Sequence, residues 1–160
     1  GHPRRDAEIG KQIMTYDMID RGMHEALDLA DRLIEVPDDT DIAELRDSRT
    51  IYTAYVPMGS LKKGEALVTT GGGGKTVRCG LCHGEDLNGI GSVPGIAARS
   101  PSYIARQLND IKQGARHGDM AELMKQVVAK LTPEDMLNIV AYTASLPAPA
   151  NVAYSNTATR

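Results

Sequence analysis

Along the chain, apolar positions recur at three-and-four spacing in several separate stretches, which is the period of a helix with one buried face. From Asp17 onward, Met18, Ile19, Met23, Ala26, Leu27, Ala30, Leu33 and Ile34 keep that spacing, with Asp20, Arg21, Asp28, Asp31 and Arg32 between them. The pattern predicts an amphipathic helix over Asp17 to Val36, ending before Pro37. Residues 1 to 15 are polar and predicted to be loose. After the turn at Pro37-Asp38-Asp39-Thr40, Asp41 is placed to cap a short helix through Leu45. Thr50 to Pro57 alternates β-branched and tyrosine residues and predicts an extended run.

Four further helices follow. Ser60 is placed to cap the first, which carries Leu61, Gly64, Ala66, Leu67 and Val68 and stops at Gly71-Gly72-Gly73-Gly74. Ser100-Pro101 opens the second, whose face is Tyr103, Ile104, Gln107, Leu108 and Ile111 and whose end is Gly114. Met120, Leu123, Met124, Val127, Val128 and Leu131 share a stripe on the third. Thr132-Pro133-Glu134-Asp135 starts the last, which runs through Met136, Ile139, Val140 and Ala144 until Pro147. The expected fold class is all-α, with an acidic arm over 1–56, a helical domain over 57–149 and a tail over 150–160.

Composition sharpens this outline. The 160 residues contain no Trp, no Phe and only six Tyr, which is little aromatic bulk for a core of this size. A buried flat apolar group would supply interior area that the side chains lack. The net charge of −3 is unevenly spread: residues 1–55 hold 7 Lys or Arg against 13 Asp or Glu, whereas residues 56–149 hold 10 against 8. No basic surface for nucleic acid stands out, and no apolar stretch is long enough to span a membrane. The apolar stripe of the arm's helix must lie on something, either the following domain or a second copy in a homodimer. Its carboxylates could steer a basic partner.

The chemistry concentrates in Cys79-Gly80-Leu81-Cys82-His83. Two thiols three apart can each add to a vinyl group of one haem, and the histidine directly after them then reaches the iron. A structural zinc site needs four ligands, and these are the only two cysteines. A thioredoxin-like pair belongs in a βαβ setting that the pattern does not offer, and a lone disulfide would leave His83 unexplained. The motif therefore predicts one covalent c-type haem. Gly71 to Lys75-Thr76 imitates a phosphate-binding loop, but Thr69 stands where that loop needs its first glycine. Met23 and His24, inside the first predicted helix, are read as core and solvated residues and not as metal ligands.

The order of these features resembles a class I c-type cytochrome, and in particular the C-terminal half of bacterial tandem cytochromes with two haems. The residues that carry the resemblance are Cys79 to Gly84, the Pro94 loop, Ser102-Tyr103-Ile104 with Gln107-Leu108, Gly114-Ala115-Arg116, Met124, Leu131-Thr132 and Ala141-Tyr142. It covers about Gly59 to Leu146 and omits the arm. It implies that Cys79 and Cys82 hold the porphyrin, that His83 is the proximal ligand, and that the Pro94 carbonyl accepts from its other ring nitrogen. It also implies contact of Tyr103 with the haem, Met124 as sixth ligand, and a close helix crossing at Gly64 near Tyr142. Gly95 follows Pro94 where related chains often carry a bulkier residue. Met120, His117 and an open position are the alternatives to Met124.

The expected function is a soluble electron carrier with His/Met ligation that is not itself an enzyme and meets redox protein partners. The alternatives are a five-coordinate haem protein that binds a small ligand or peroxide, and the haem subunit of a larger dehydrogenase. Thioether-linked haem implies export, so the expected compartment is the bacterial periplasm. The chain opens with Gly1-His2-Pro3 and not with Met and an apolar leader, so the signal peptide is expected to have been removed.

Overall fold

The computed structural model describes residues 11–15, 32–47 and 50–149, the first of these by backbone alone. Within them the order is β1 (Lys11–Thr15), β2 (Ile34–Pro37), α1 (Thr40–Glu44), β3 (Tyr52–Val56), α2 (Ser60–Thr70), α3 (Gly80–His83), β4 (Gly89–Ile90), β5 (Val93–Pro94), α4 (Pro101–Gln113), α5 (Asp119–Val128) and α6 (Pro133–Ser145).

Helices α2, α4, α5 and α6 enclose one core, built from Leu67 and Val68 of α2, Ile104, Leu108 and Ile111 of α4, Val128 of α5, and Met136, Ile139 and Val140 of α6. These belong to the apolar stripes of the sequence, which turn inward except at Tyr103 of α4 and at Met120 and Leu123 of α5, where the side chains are exposed. The helix boundaries have local causes. At α4 the Ser100 hydroxyl accepts from the Tyr103 N–H and Pro101 occupies the first turn, where no N–H is needed. Gly71 and Gly114 end α2 and α4 in the left-handed conformation.

The crossing of α2 over α6 depends on Gly64. A Cβ at that position would lie 2.0 Å from the Asn138 carbonyl oxygen and 2.8 Å from Cβ of Tyr142. Only a hydrogen fits there, so the two helices approach backbone to backbone.

The arm departs from its sequence pattern. Lys11–Thr15, expected to be loose, forms a strand parallel to β3, with Lys11 opposite Tyr52. Ile34–Pro37, expected as the last turn of a helix and its stop, is an antiparallel strand on the other side of β3, with Ile34 opposite Tyr55. Long-range pairing overrides a local helical period here. The predicted helix over Asp17–Asp31 lies outside the described residues. On its inner face β3 packs Ala54 and Val56 against Ala141 and Ala144 of α6, with Leu33, Leu61 and Leu137 around them.

Two caps differ from expectation. Asp39, and not Asp41, caps α1, since its carboxylate accepts from the N–H groups of Asp41 and Ile42 at 3.0 and 3.1 Å. Ser60 is the buried first residue of α2 and not its cap. Gly59, at φ 78, makes the left-handed turn into that helix, closed by Ser60 N–H donating to the Pro57 carbonyl.

Helix α6 begins with a full capping box between Thr132 and Asp135, and Lys75 from the glycine-rich turn donates to both Asp135 oxygens at 2.8 and 2.9 Å. Burial would raise the Asp135 carboxyl, but the Lys75 ammonium and the Thr132 N–H and hydroxyl outweigh it and hold it below its ordinary value. A depressed folded-state value means that this stabilisation is present above the unfolded carboxylate range, near pH 4, and is lost as pH falls through the folded value. Asp135→Asn should therefore cost about 1 kcal/mol at neutral pH. In denaturant titrations the difference from the parent should shrink as the pH drops below about 4.

Candidate functional site

The motif sits on a single turn of helix. Cys79 N–H donates to the Val68 carbonyl at 3.0 Å, which ties the motif to α2, and the N–H groups of Cys82 and His83 both donate to the Cys79 carbonyl. No disulfide joins Cys79 to Cys82. Cys79 packs against the core, and burial pushes its thiol up to about 11 before any haem is attached. Cys82 is exposed. The Arg78 guanidinium pairs with both oxygens of Glu85 at 2.9 and 3.1 Å, clasping the two ends of this turn.

His83 ends the turn with its Nδ1 2.6 Å from the Pro94 carbonyl oxygen. A carbonyl can only accept, so Nδ1 carries a hydrogen and Nε2 is the nitrogen whose lone pair can face a metal. That is the state of a metal-ligating imidazole whose orientation is fixed from behind.

The loop that supplies Pro94 is shaped by close backbone approach. Gly89 pairs with Pro94 across β4 and β5, and a Cβ on Gly89 would lie 2.7 Å from the Val93 carbonyl. A Cβ on Gly95 would lie 2.6 Å from the Asn88 carbonyl, so the glycine after Pro94 is a requirement of this loop's course. The Leu87 carbonyl then accepts from Ile96 and Ala97 at 2.8 and 3.1 Å.

Large apolar side chains are exposed within the motif and on the elements that follow it: Leu81 on α3, Ile90 on β4, Tyr103 on α4, and Met120 and Leu123 on α5. Leu123 is 67% exposed and Met120 51%, whereas Met124 is partly buried against the core. His117 lies in the exposed turn between α4 and α5. Two thiols and an oriented imidazole on one turn form a donor set that fits a covalently attached haem. Among the described residues no three His, Cys, Asp or Glu gather as metal ligands. The glycine-rich turn follows a helix, and its phosphate-loop residues are committed elsewhere: Lys75 to Asp135, and the Thr76 hydroxyl to the Val127 carbonyl at 2.8 Å.

Residues 61–147 match the family model described as cytochrome c. The chain belongs to the cytochrome c family. A curated relative, the thiosulfate dehydrogenase electron acceptor of Stutzerimonas stutzeri, is 32% identical over 89 residues, covering 54% of this chain and 40% of that protein. Cytochrome c-554(548) of Halomonas halodenitrificans is 32% identical over 68 residues, covering 42% of this chain and 82% of that protein. The solved cytochrome c4 of Acidithiobacillus ferrooxidans aligns with a TM-score of 0.50 at 32% identity, over 54% of this chain and 49% of that one. The chain thus spans less than half the length of the electron acceptor and of that cytochrome c4, as similarity to one half of a tandem protein requires. Membership of this family implies a covalently bound c-type haem.

Sequence reasoning missed Glu35, Lys75 and Asp135 as partners. Lys75 and Asp135 are 60 residues apart and no local spacing pairs them. Only the capping pattern at Thr132 hinted that Asp135 would be engaged.

Proposed function

We propose that this cytochrome c is a one-haem, periplasmic electron carrier, with the porphyrin held by Cys79 and Cys82 and the iron ligated by His83 and Met124. The observation that carries the reading is the Nδ1 of His83 against the Pro94 carbonyl, which leaves Nε2 free to donate. The bound haem supplies one-electron chemistry at iron; the chain sets its potential and access. Met124 supplies a soft donor that favours ferrous iron and raises the potential. Its place on the inward side of α5 supports it over Met120, half of whose surface faces solvent. With His83 and Met124 both holding the iron, no position would be left for substrate, and the chain would carry electrons without catalysing a reaction itself. The domain over 57–149 holds the haem, and the arm packs beside it. Among the described residues no helix is long and apolar enough to cross a membrane. Two curated relatives bear the name thiosulfate dehydrogenase electron acceptor, which supports a dehydrogenase as the electron donor.

The ferric protein should show a sulfur-to-iron charge-transfer band in the visible spectrum. Met124→Ala should abolish that band and give a high-spin iron that binds cyanide, while Met120→Ala keeps it. A band that survives Met124→Ala but not Met120→Ala reassigns the ligand, and high-spin wild-type protein favours the five-coordinate alternative.

A further inference from the structure

We infer that Glu35, which lies on the arm outside the family match, is a positioning residue for the haem: it anchors the loop that orients His83. The inference rests on the ligand reading proposed for that histidine. The Glu35 carboxylate accepts from the Ser100 hydroxyl at 2.9 Å and from the Ser102 N–H at 3.2 Å, across 65 and 67 residues of chain. The same Ser100 hydroxyl accepts from the Tyr103 N–H at 3.3 Å. One hydroxyl can donate to Glu35 while accepting from Tyr103, and the carboxylate also takes the first-turn N–H of Ser102, which Ser100 does not satisfy. A negative charge at the first turn of α4 also suits the positive end of that helix.

The segment from Pro94 to Ser100 is held at several points along its length. Ile96 and Ala97 donate to Leu87, and Ala98 N–H donates to the Thr143 carbonyl at 2.9 Å. Ala98 is a non-glycine residue at φ 55, a conformation that persists only when its surroundings over-determine it. Glu35 supplies the last of these anchors. Without it the segment relaxes toward ordinary dihedrals, and the Pro94 carbonyl at its other end loosens from Nδ1. A less firmly held imidazole is a weaker donor, which destabilises ferric iron and raises the potential.

The test is voltammetry of purified holoprotein variants, each first checked for its visible spectrum. Glu35→Ala should raise the midpoint potential. Glu35→Gln, which keeps an oxygen acceptor for Ser100, should raise it less. Ser100→Ala should move it in the same direction, and the double variant Glu35→Ala with Ser100→Ala should move it no further than the larger single shift. An unmoved potential in Glu35→Ala, with a lowered melting temperature, would make Glu35 a fold cap only and overturn the inference. A shift in Glu35→Gln as large as in Glu35→Ala would overturn it too, since the lost charge would then explain everything. Failure with a normal spectrum sinks this inference alone, whereas an abnormal wild-type spectrum sinks the ligand reading beneath it.

Discussion

Gly64→Ala should cost the protein a large part of its stability. The new methyl would sit 2.0 Å from the Asn138 carbonyl oxygen and 2.7 Å from its carbon, both main-chain atoms of α6 that no rotamer change can move. The crossing would have to open along its length. It would then lift Leu67 and Val68 from Ile139 and Val140 in the shared core. Overpacking against flexible side chains typically costs 1–3 kcal/mol, so against backbone a loss of about 3 kcal/mol or more is expected. That is a large part of the roughly 5–15 kcal/mol that holds a domain together. Gly73 provides the control: it has φ 70 and nothing within 4 Å of its would-be Cβ, so Gly73→Ala should cost only the left-handed penalty of about 1–2 kcal/mol. Urea midpoints should rank wild type, Gly73→Ala and Gly64→Ala in falling order. Equal midpoints for the two variants would mean that the helices do not meet at Gly64.

The second large effect is expected at His83. His83→Ala removes the one ring whose Nδ1 is held by the Pro94 carbonyl, while both thiols that would link the porphyrin stay in place. Haem that matures in this variant should remain attached but lose its low-spin spectrum, and added imidazole should restore that spectrum by filling the proximal position. A His83→Ala protein that stays low-spin without imidazole would show that another residue holds the iron.

The sequence carried the helical domain well because its signals are local. Apolar stripes at helical period, Pro101 and Pro133 in first turns, and Gly71 and Gly114 at helix ends all act within a few residues of where they stand. The motif was legible for the same reason, since five adjacent positions contain its chemistry. The need for glycine at position 95 was not legible, because the atom that forbids a side chain there belongs to Asn88, seven residues earlier in the chain. The arm was misread where tertiary pairing decides. Ile34 and Val36 fit a helical stripe as well as a strand, and only the hydrogen bonds to β3 select between them. Glu35 read as one more charge on an acidic arm, because its partners Ser100 and Ser102 lie at the distant start of α4.

The central claim is that one porphyrin is bonded covalently to this chain through its two cysteines. The most direct measurement is the reduced spectrum of the alkaline pyridine adduct of the purified holoprotein, with protein quantified in the same sample. One haem per chain, with the band position of two saturated thioether links and no pigment extracted into acidified organic solvent, is the predicted result. A colourless mature protein, or pigment that leaves the chain in acid, would contradict it.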